Sequence, residues 1–192
     1  MLDTVSLTEM HDEKTDAWHR DGRDTETDGL MGLAVAQHRA NFDLWHEEDK
    51  ARDPDASDAE IVKVKHAIDV LNQCRNDLVQ QIDELLLAMA GEQNTAAPLH
   101  SETPGMMIDR LSILALKIYH TREEAHRDSA TEAHRRKNVA RLDVLNEQRA
   151  DLVECLDALW KEVIAGTRRF KLYRQMKMYN DPELNPAIYK KA

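Results

Sequence analysis

Long apolar runs, cysteine, glycine, proline and aromatic residues are all scarce in this sequence. No apolar run approaches the roughly 18 residues that a transmembrane helix needs, so we expect no membrane association. The segment from Met1 to Trp18 is polar and acidic and lacks the basic-then-apolar pattern of a signal peptide, which predicts a cytoplasmic protein. With 6 glycines, 5 prolines and 9 aromatic residues, the chain is poor material for a turn-rich β-sandwich or barrel.

The two cysteines, Cys74 and Cys155, are too few for a disulfide framework and lack the spacing of a metal site. Each lies within a helical pattern, so we expect small apolar side chains in the core or at its boundary. Neither cysteine is therefore a candidate functional residue.

Acidic residues outnumber basic residues by 36 to 26 in the 192-residue chain, which gives a formal net charge of −10. Contacts between basic side chains and phosphates dominate nucleic-acid affinity, and an acidic chain repels phosphates, so we expect no nucleic-acid partner. The charge is uneven, since residues 1–28 carry 9 acids and 3 bases whereas residues 166–192 carry 7 bases and 2 acids. The two ends could attract each other or be solvated tails.

Helix signals predict a short first helix and then a helical hairpin. The first helix is expected around residues 6–20, followed by a glycine-containing link. The hairpin spans residues 30–90, and its first helix runs from about 30 to 51. Its second helix opens at a capping box, Ser57 to Glu60, and ends before Gly91.

A second hairpin is predicted over residues 103–165. Thr103-Pro104 combines a capping residue with proline at the first helical position. Ser129 to Glu132 has the pattern of another capping box, and Gly166 is a stop signal. Residues 166–192 form a basic extension.

Apolar residues on the two long helices recur at alternating spacings of three and four, the pattern of a bundle seam. They are Ile61, Val64, Ile68, Leu71, Leu78, Ile82, Leu85 and Met89 in one helix and Leu142, Leu145, Leu152, Leu156, Leu159 and Val163 in the other. We therefore predict an all-α fold, a single domain over residues 1–192. It is a bundle of two similar antiparallel hairpins with an N-terminal helix and a C-terminal extension. The heptad spacing also favours a homodimer.

The two long helices match each other when their residue numbers are offset by 74. Residues 68–79 align with residues 142–153, and 8 of the 12 positions are identical. The same offset pairs residues 44–46 with residues 118–120. This pattern predicts an internal duplication around a pseudo-twofold axis. The alternative is coincidence between two helices of similar heptad composition.

Each long seam lacks one apolar residue at the same place, and an arginine fills the position: Arg75 in one helix and Arg149 in the other. Unpaired burial of an arginine is very unfavourable. Both side chains must therefore be paired or face a cavity.

Polar residues at matched positions accompany the two arginines. They are Asn72 and Asn146, one turn earlier, and the pairs His46 with Asp49 and His120 with Glu123 on the preceding helices. Arginine offers a planar fork to a carboxylate or phosphate, and amide and imidazole groups can orient a ligand. We therefore predict a site for a small anionic or polar ligand between the hairpins. In an enzyme, His46 and His120 would be the acid–base residues.

Two other interpretations stay open. A buried network of arginine, carboxylate and asparagine can fix the register of a non-catalytic bundle that works through self-association or a protein partner. Alternatively, the protein is a metal-dependent hydrolase or oxidase whose ligands would be His46, Asp49, His120 and Glu123. That set does not follow the Glu-x-x-His order of di-iron bundles.

Five stretches of the chain carry a resemblance. They are residues 18–19 (WH), 41–49 (NFDLWHEED), 68–78 (IDVLNQCRNDL), 102–114 (ETPGMMIDRLSIL) and 177–182 (KMYNDP). Together they resemble a bacterial family described as a domain of unknown function. The resemblance implies one domain over nearly the whole chain, and it implies no activity, cofactor or catalytic residue.

Overall fold

The computed structural model describes residues 2–20, 22, 27–174 and 181–189. In these ranges the chain forms helices and no strand, which confirms the all-α prediction. The helices are α1 (Thr4–Arg20), α2 (Gly29–Lys50), α3 (Asp58–Ala90), α4 (Pro104–His126), α5 (Glu132–Ile164) and α6 (Pro186–Tyr189). As predicted, α2 pairs with α3 and α4 pairs with α5, and α1 packs on α2, α4 and α5. No described helix combines the length and apolar character needed to cross a membrane.

Two of the predicted helix starts are confirmed by their caps. Ser57 Oγ accepts a hydrogen bond from the Glu60 amide, and the Glu60 carboxylate accepts one from the Ser57 amide. At the start of α4, Thr103 Oγ1 accepts a hydrogen bond from the Met106 amide, and Pro104 is the first helical residue. These caps fix where α3 and α4 begin.

The capping box predicted at Ser129 is wrong. The N-cap of α5 is Thr131, whose side chain accepts a hydrogen bond from the His134 amide. Ser129 lies in a turn in which the Ala130 amide donates to the Arg127 carbonyl, so the helix starts only after that turn. Helices α3 and α5 are both 33 residues long, and their first and last residues match at the offset of 74.

Gly91 and Gly166 end the two long helices, as predicted. Both have a positive φ, 71° and 69°, which residues with a side chain rarely adopt. Beyond them the chain pairs with itself, because the His100 amide donates to the Arg169 carbonyl and the Arg169 amide donates to the Pro98 carbonyl. The free ends of the two hairpins are therefore tied together. Residues 175–180 and 190–192 of the predicted basic extension lie outside the described residues.

The core lies where α1 packs against both hairpins. Its most deeply buried apolar residues are Leu7, Ile82, Leu86, Ile108, Leu111, Leu116, Ile118, Leu156 and Phe170. The predicted α3 seam is wrong at its end, since Met89 is 41% exposed while Leu86 is fully buried. A straight helix drifts by about 20° per heptad from a strict seven-residue repeat, which shifts the buried position. Cys74 and Cys155 are exposed, because they lie beside the seams rather than on them.

Helix α3 holds the start of α4 through one buried carboxylate. Asp83 accepts hydrogen bonds from Thr103 Oγ1 at 2.5 Å and from the Gly105 amide at 2.7 Å. Burial raises the pKa of Asp83 to about 6, although both hydrogen bonds act in the opposite direction. This contact sets the position of α4 along α3.

Helix α5 holds α1 through residues at the matching positions. Asp157, which matches Asp83 at the offset of 74, accepts a hydrogen bond from Thr4 Oγ1 at 3.2 Å. Arg149 Nη1 donates to both carboxylate oxygens of Asp12 at 2.8 Å. The N-terminal helix is therefore an integral part of the bundle.

Candidate functional site

Three histidines meet where α1 ends against α2 and α4. His19 lies in the last turn of α1, His46 near the end of α2 and His120 in the second half of α4. The ring centroid of His19 is 5.3 Å from that of His46 and 5.1 Å from that of His120, and the last two are 6.0 Å apart. One possible ligand atom from each residue lies within 4.8 Å of the others. We call these three residues the histidine cluster.

The Nδ1 atom of each ring in the histidine cluster is already committed. His19 Nδ1 lies 2.7 Å from the Thr15 carbonyl oxygen, and His46 Nδ1 lies 2.8 Å from the Phe42 carbonyl oxygen. A carbonyl oxygen only accepts, so both nitrogens donate their proton. His120 Nδ1 donates to Glu123 Oε2 at 2.9 Å. In a neutral imidazole this arrangement leaves the lone pair on Nε2.

The opposite nitrogens of two rings are buried and have no partner. Nε2 of His19 and Nε2 of His120 make no hydrogen bond to any part of the chain that the structure describes. Burial also lowers the pKa of His120, against the hydrogen bond and charge of Glu123, so the neutral ring is favoured. Buried lone pairs without a donor are uncommon in folded proteins and call for an explanation.

Aromatic rings enclose the histidine cluster. Tyr119 stacks on His19 with centroids 4.2 Å apart, and Trp45 stacks on His120 at 4.8 Å. Phe42 packs against His19 and His46 from the side of α2. These contacts fix the planes of the three rings and reduce the access of water.

A further histidine, His38 of α2, is fully buried and connects α1 to α4. His38 Nε2 lies 3.0 Å from the His11 carbonyl oxygen and 2.9 Å from Thr15 Oγ1, and its Nδ1 lies 2.7 Å from Ser112 Oγ. Burial lowers the pKa of His38 to about 3, so the ring is neutral at ordinary pH. His38 thus links α1, α2 and α4 close to the histidine cluster.

The predicted Arg75 extends from α3 towards a buried carboxylate on α4. Its Nε atom lies 3.6 Å from Asp109 Oδ1. That oxygen accepts hydrogen bonds from Gln37 and, at 3.0 Å, from Asn41. Asn41 also donates to Ser112 Oγ at 2.9 Å, which connects this network to His38. The expectation that Arg75 is paired or faces a cavity is confirmed on both counts, because it also lines a cleft.

The cleft has a volume of about 420 Å³ and lies between α2, α3 and α4. Its lining residues are Asn41, Leu44, Trp45, Glu48, Asp49, Arg52, Arg75, Ile113 and Leu116. Trp45 separates this cleft from the histidine cluster, since its ring stacks on His120. The cleft and the cluster are therefore neighbours with one shared wall.

The structure divides the eight predicted site residues. His46, His120 and Glu123 belong to the histidine cluster and its support, whereas Arg75 and Asp49 belong to the cleft. Asn72 is half-buried on α3, and Asn146 is exposed on α5. Arg149 binds Asp12 of α1, so the two arginines at matched positions do not share one site. The prediction of a single cluster of eight residues is therefore wrong.

His19 is the residue of the histidine cluster that the sequence does not predict. It lies in α1, outside the segments that match at an offset of 74, so no partner position marks it. A signal was present in the sequence, because Trp18-His19 is one of the stretches that resemble the family. Only the packing of α1 on α2 and α4 brings it to His46 and His120.

The fold and this site define an all-helical protein of two hairpins with a histidine cluster at their junction. A family model described as "Protein of unknown function (DUF4254)" matches residues 32–172, and the chain belongs to that family. His46 and His120 lie within the matched residues, and His19 precedes them. The predicted resemblance to a domain of unknown function is confirmed. No curated protein and no solved structure matches the chain.

Proposed function

We propose that this protein binds a divalent transition-metal ion, with zinc as the first candidate, through His19, His46 and His120. The observation that supports the proposal is the hydrogen-bonding pattern that the three rings share. Each Nδ1 donates to a fixed oxygen, and two of the three Nε2 atoms are buried without a partner among the described residues. Metal-binding histidines characteristically donate their other ring N–H to a carbonyl or carboxylate.

The distances between the three histidine ligand atoms are close to those of a zinc site, so metal binding requires only a small structural change. Zinc bound to nitrogen at about 2.1 Å places tetrahedral ligands about 3.4 Å apart. The three ligand atoms lie within 4.8 Å of one another, so those farthest apart must approach by up to about 1.4 Å when the metal binds.

Three protein ligands leave the fourth position of a tetrahedral ion open to water. That coordination is typical of catalytic zinc, which lowers the pKa of its bound water and polarises carbonyl groups. A metal-dependent hydrolase is therefore the enzyme class that we favour. In this proposal Glu123 orients His120 from outside the coordination sphere, and Asp49 lies in the cleft instead of on the metal.

The first test is elemental analysis of the untagged protein by plasma mass spectrometry, followed by titration of metal-free protein with Co²⁺. We expect close to one equivalent of metal per chain and the visible absorption of tetrahedral cobalt. His19→Ala and His120→Ala should each abolish tight binding. His126→Ala is the matched control, because His126 lies on α4 like His120 but is exposed. Its Nδ1–H donates to the carbonyl oxygen four residues earlier, as in His19 and His46.

Equal metal content in His120→Ala and His126→Ala would refute the proposal, as would a wild-type protein that binds no Co²⁺ at micromolar concentration. Circular dichroism of each variant shows whether the fold is retained. Loss of binding with the helices intact assigns the effect to the ligand and not to unfolding.

Self-association is a second candidate function, and exposed valines favour it. Val70 on α3 is 68% exposed, and Val144, at the matching position of α5, is 51% exposed. Light scattering of the purified protein tests for a homodimer, and Val70→Lys with Val144→Lys should reduce its mass to that of a monomer.

We also propose that the protein is bacterial and cytoplasmic and that its two hairpins arose by duplication. The equal lengths of α3 and α5 and their constant offset of 74 support the duplication.

A further inference from the structure

Arg75 lines the cleft and is paired with Asp109 at ion-pair distance, without a hydrogen bond between them. Its nearest carboxylate oxygen, Asp109 Oδ1, is 3.6 Å from Nε, which is beyond hydrogen-bond distance. Nε is buried, and no described residue accepts a hydrogen bond from it. A guanidinium carries five N–H donors in a planar fork, so Arg75 offers a binding group that the protein itself does not satisfy.

The rest of the cleft is arranged as a mostly apolar channel. Along α2 the lining runs from Asn41 to Asp49, about 12 Å of helix, and Arg52 follows in the turn after α2. Arg75 lies at the Asn41 end, because both contact Asp109 Oδ1. At the other end Arg52 donates to Glu48 at 2.7 Å.

The walls between these ends are apolar, formed by Leu44, Trp45, Ile113 and Leu116. The volume of about 420 Å³ is within the range of small-molecule sites, roughly 300–1,000 Å³. A compatible ligand therefore has one polar end and an apolar body.

We propose that this cleft binds a small organic monoanion, a carboxylate attached to an aromatic or branched apolar body. The carboxylate accepts the N–H donors of Arg75 at the inner end, and the apolar body packs on Trp45 and the neighbouring aliphatic side chains. An arginine and a carboxylate form the bidentate pair that gives such sites their specificity.

The charges around Arg75 select a single negative charge. Asp109 lies beside the guanidinium and Asp49 also lines the cleft, whereas Glu48 is paired with Arg52. Asp109 and Asp49 repel a second negative charge on a ligand, which disfavours a phosphate dianion. The proposal is independent of the metal centre, since no atom of Arg75 or Asp109 takes part in the histidine cluster.

The test compares naphthalene-2-carboxylate with the neutral naphthalene-2-carboxamide by isothermal titration calorimetry, on wild-type protein in EDTA. We expect the carboxylate to bind at least tenfold more tightly. Arg75→Met should remove that preference, and Arg75→Lys should reduce it while keeping the charge. Arg149→Met is the matched control at the equivalent position, and it should bind both probes as the wild type does.

A Kd that is equal for the two probes, or a preference retained in Arg75→Met, would overturn the proposal. Failure of the carboxylate to bind at millimolar concentration would overturn it too. Removal of Arg75 leaves Asp109 with its hydrogen bonds from Gln37 and Asn41, and circular dichroism shows whether Arg75→Met is folded. Arg75→Lys keeps a positive charge beside Asp109 and tests the same preference if Arg75→Met does not fold. The result is distinguishable from that of the metal experiments, since metal is absent here and the histidine variants leave Arg75 in place.

Discussion

Asp83 should make the protein less stable at neutral pH than at mildly acidic pH. The residue is only 2% exposed, and burial raises its pKa from 3.8 to about 6. A raised pKa means that the folded state binds a proton more tightly than the unfolded state does. Stability is therefore lost as the pH rises through the interval between 3.8 and about 6.

The size of the effect follows from the two pKa values. With 3.8 for the unfolded chain and about 6 for the folded protein, the group stabilises the fold by about 1.4 kcal/mol at pH 5 and by almost nothing at pH 7.5. Asp83→Asn has a similar shape and does not titrate. The difference in unfolding free energy between wild type and Asp83→Asn should therefore shift by about 1.4 kcal/mol between these two pH values.

Urea denaturation in EDTA, followed by circular dichroism at pH 5 and pH 7.5, measures this difference. Asp157→Asn is the matched control at the equivalent position of α5. The pKa of Asp157 is lowered, chiefly by the hydrogen bond from Lys161, so its contribution is lost only below its ordinary pKa. That variant should stay parallel to wild type across the interval. An Asp83→Asn difference that is constant, or that shifts in the opposite direction, would show that hydrogen bonds at the start of α4 outweigh burial.

Two further predictions concern the packing of α4 and the metal centre. Gly105→Ala should lower the unfolding free energy by about 1–3 kcal/mol in urea denaturation, because its Cβ would lie 2.8 Å from the Val79 carbonyl oxygen and 2.7 Å from Asp83 Oδ1. An unchanged midpoint would mean that α4 shifts freely. Zinc at 100 times its Kd should stabilise the protein by about 2.7 kcal/mol, a rise in Tm of roughly 5–11 °C. The rise should vanish in His120→Ala and persist in His126→Ala when measured by scanning calorimetry, and equal shifts in both would count against the site.

The helices were predictable because their signals are local. A capping box at Ser57 and a Thr103-Pro104 start each depend on atoms within one turn, and the structure has both. The prediction at Ser129 was wrong because the serine-to-glutamate spacing also occurs in the turn before a helix. The spacing alone does not show which residue after the turn is the N-cap. The match at an offset of 74 held the better answer, since it places an N-cap at Thr131 from Ser57.

The site was predictable only in part, because the matched positions lie in the two hairpins, whereas α1 also packs against them. Matched positions made Arg75 and Arg149 look equivalent, and each does hold a carboxylate on a neighbouring helix. For Arg75 that helix is α4, through Asp109, whereas for Arg149 it is α1, through Asp12.

Helix α1 thus takes, on α5, the place that α4 takes on α3. The matched aspartates show the same relation between the helices. Asp83 binds the start of α4, and Asp157 binds the start of α1. The presence of α1 breaks the symmetry of the two hairpins. It also brings His19 to His46 and His120. The histidine cluster therefore depends on a helix outside the matched segments, whereas the cleft is lined by α2, α3, α4 and the turn after α2. This is why matched positions in the sequence located two of the three histidines and overlooked the third.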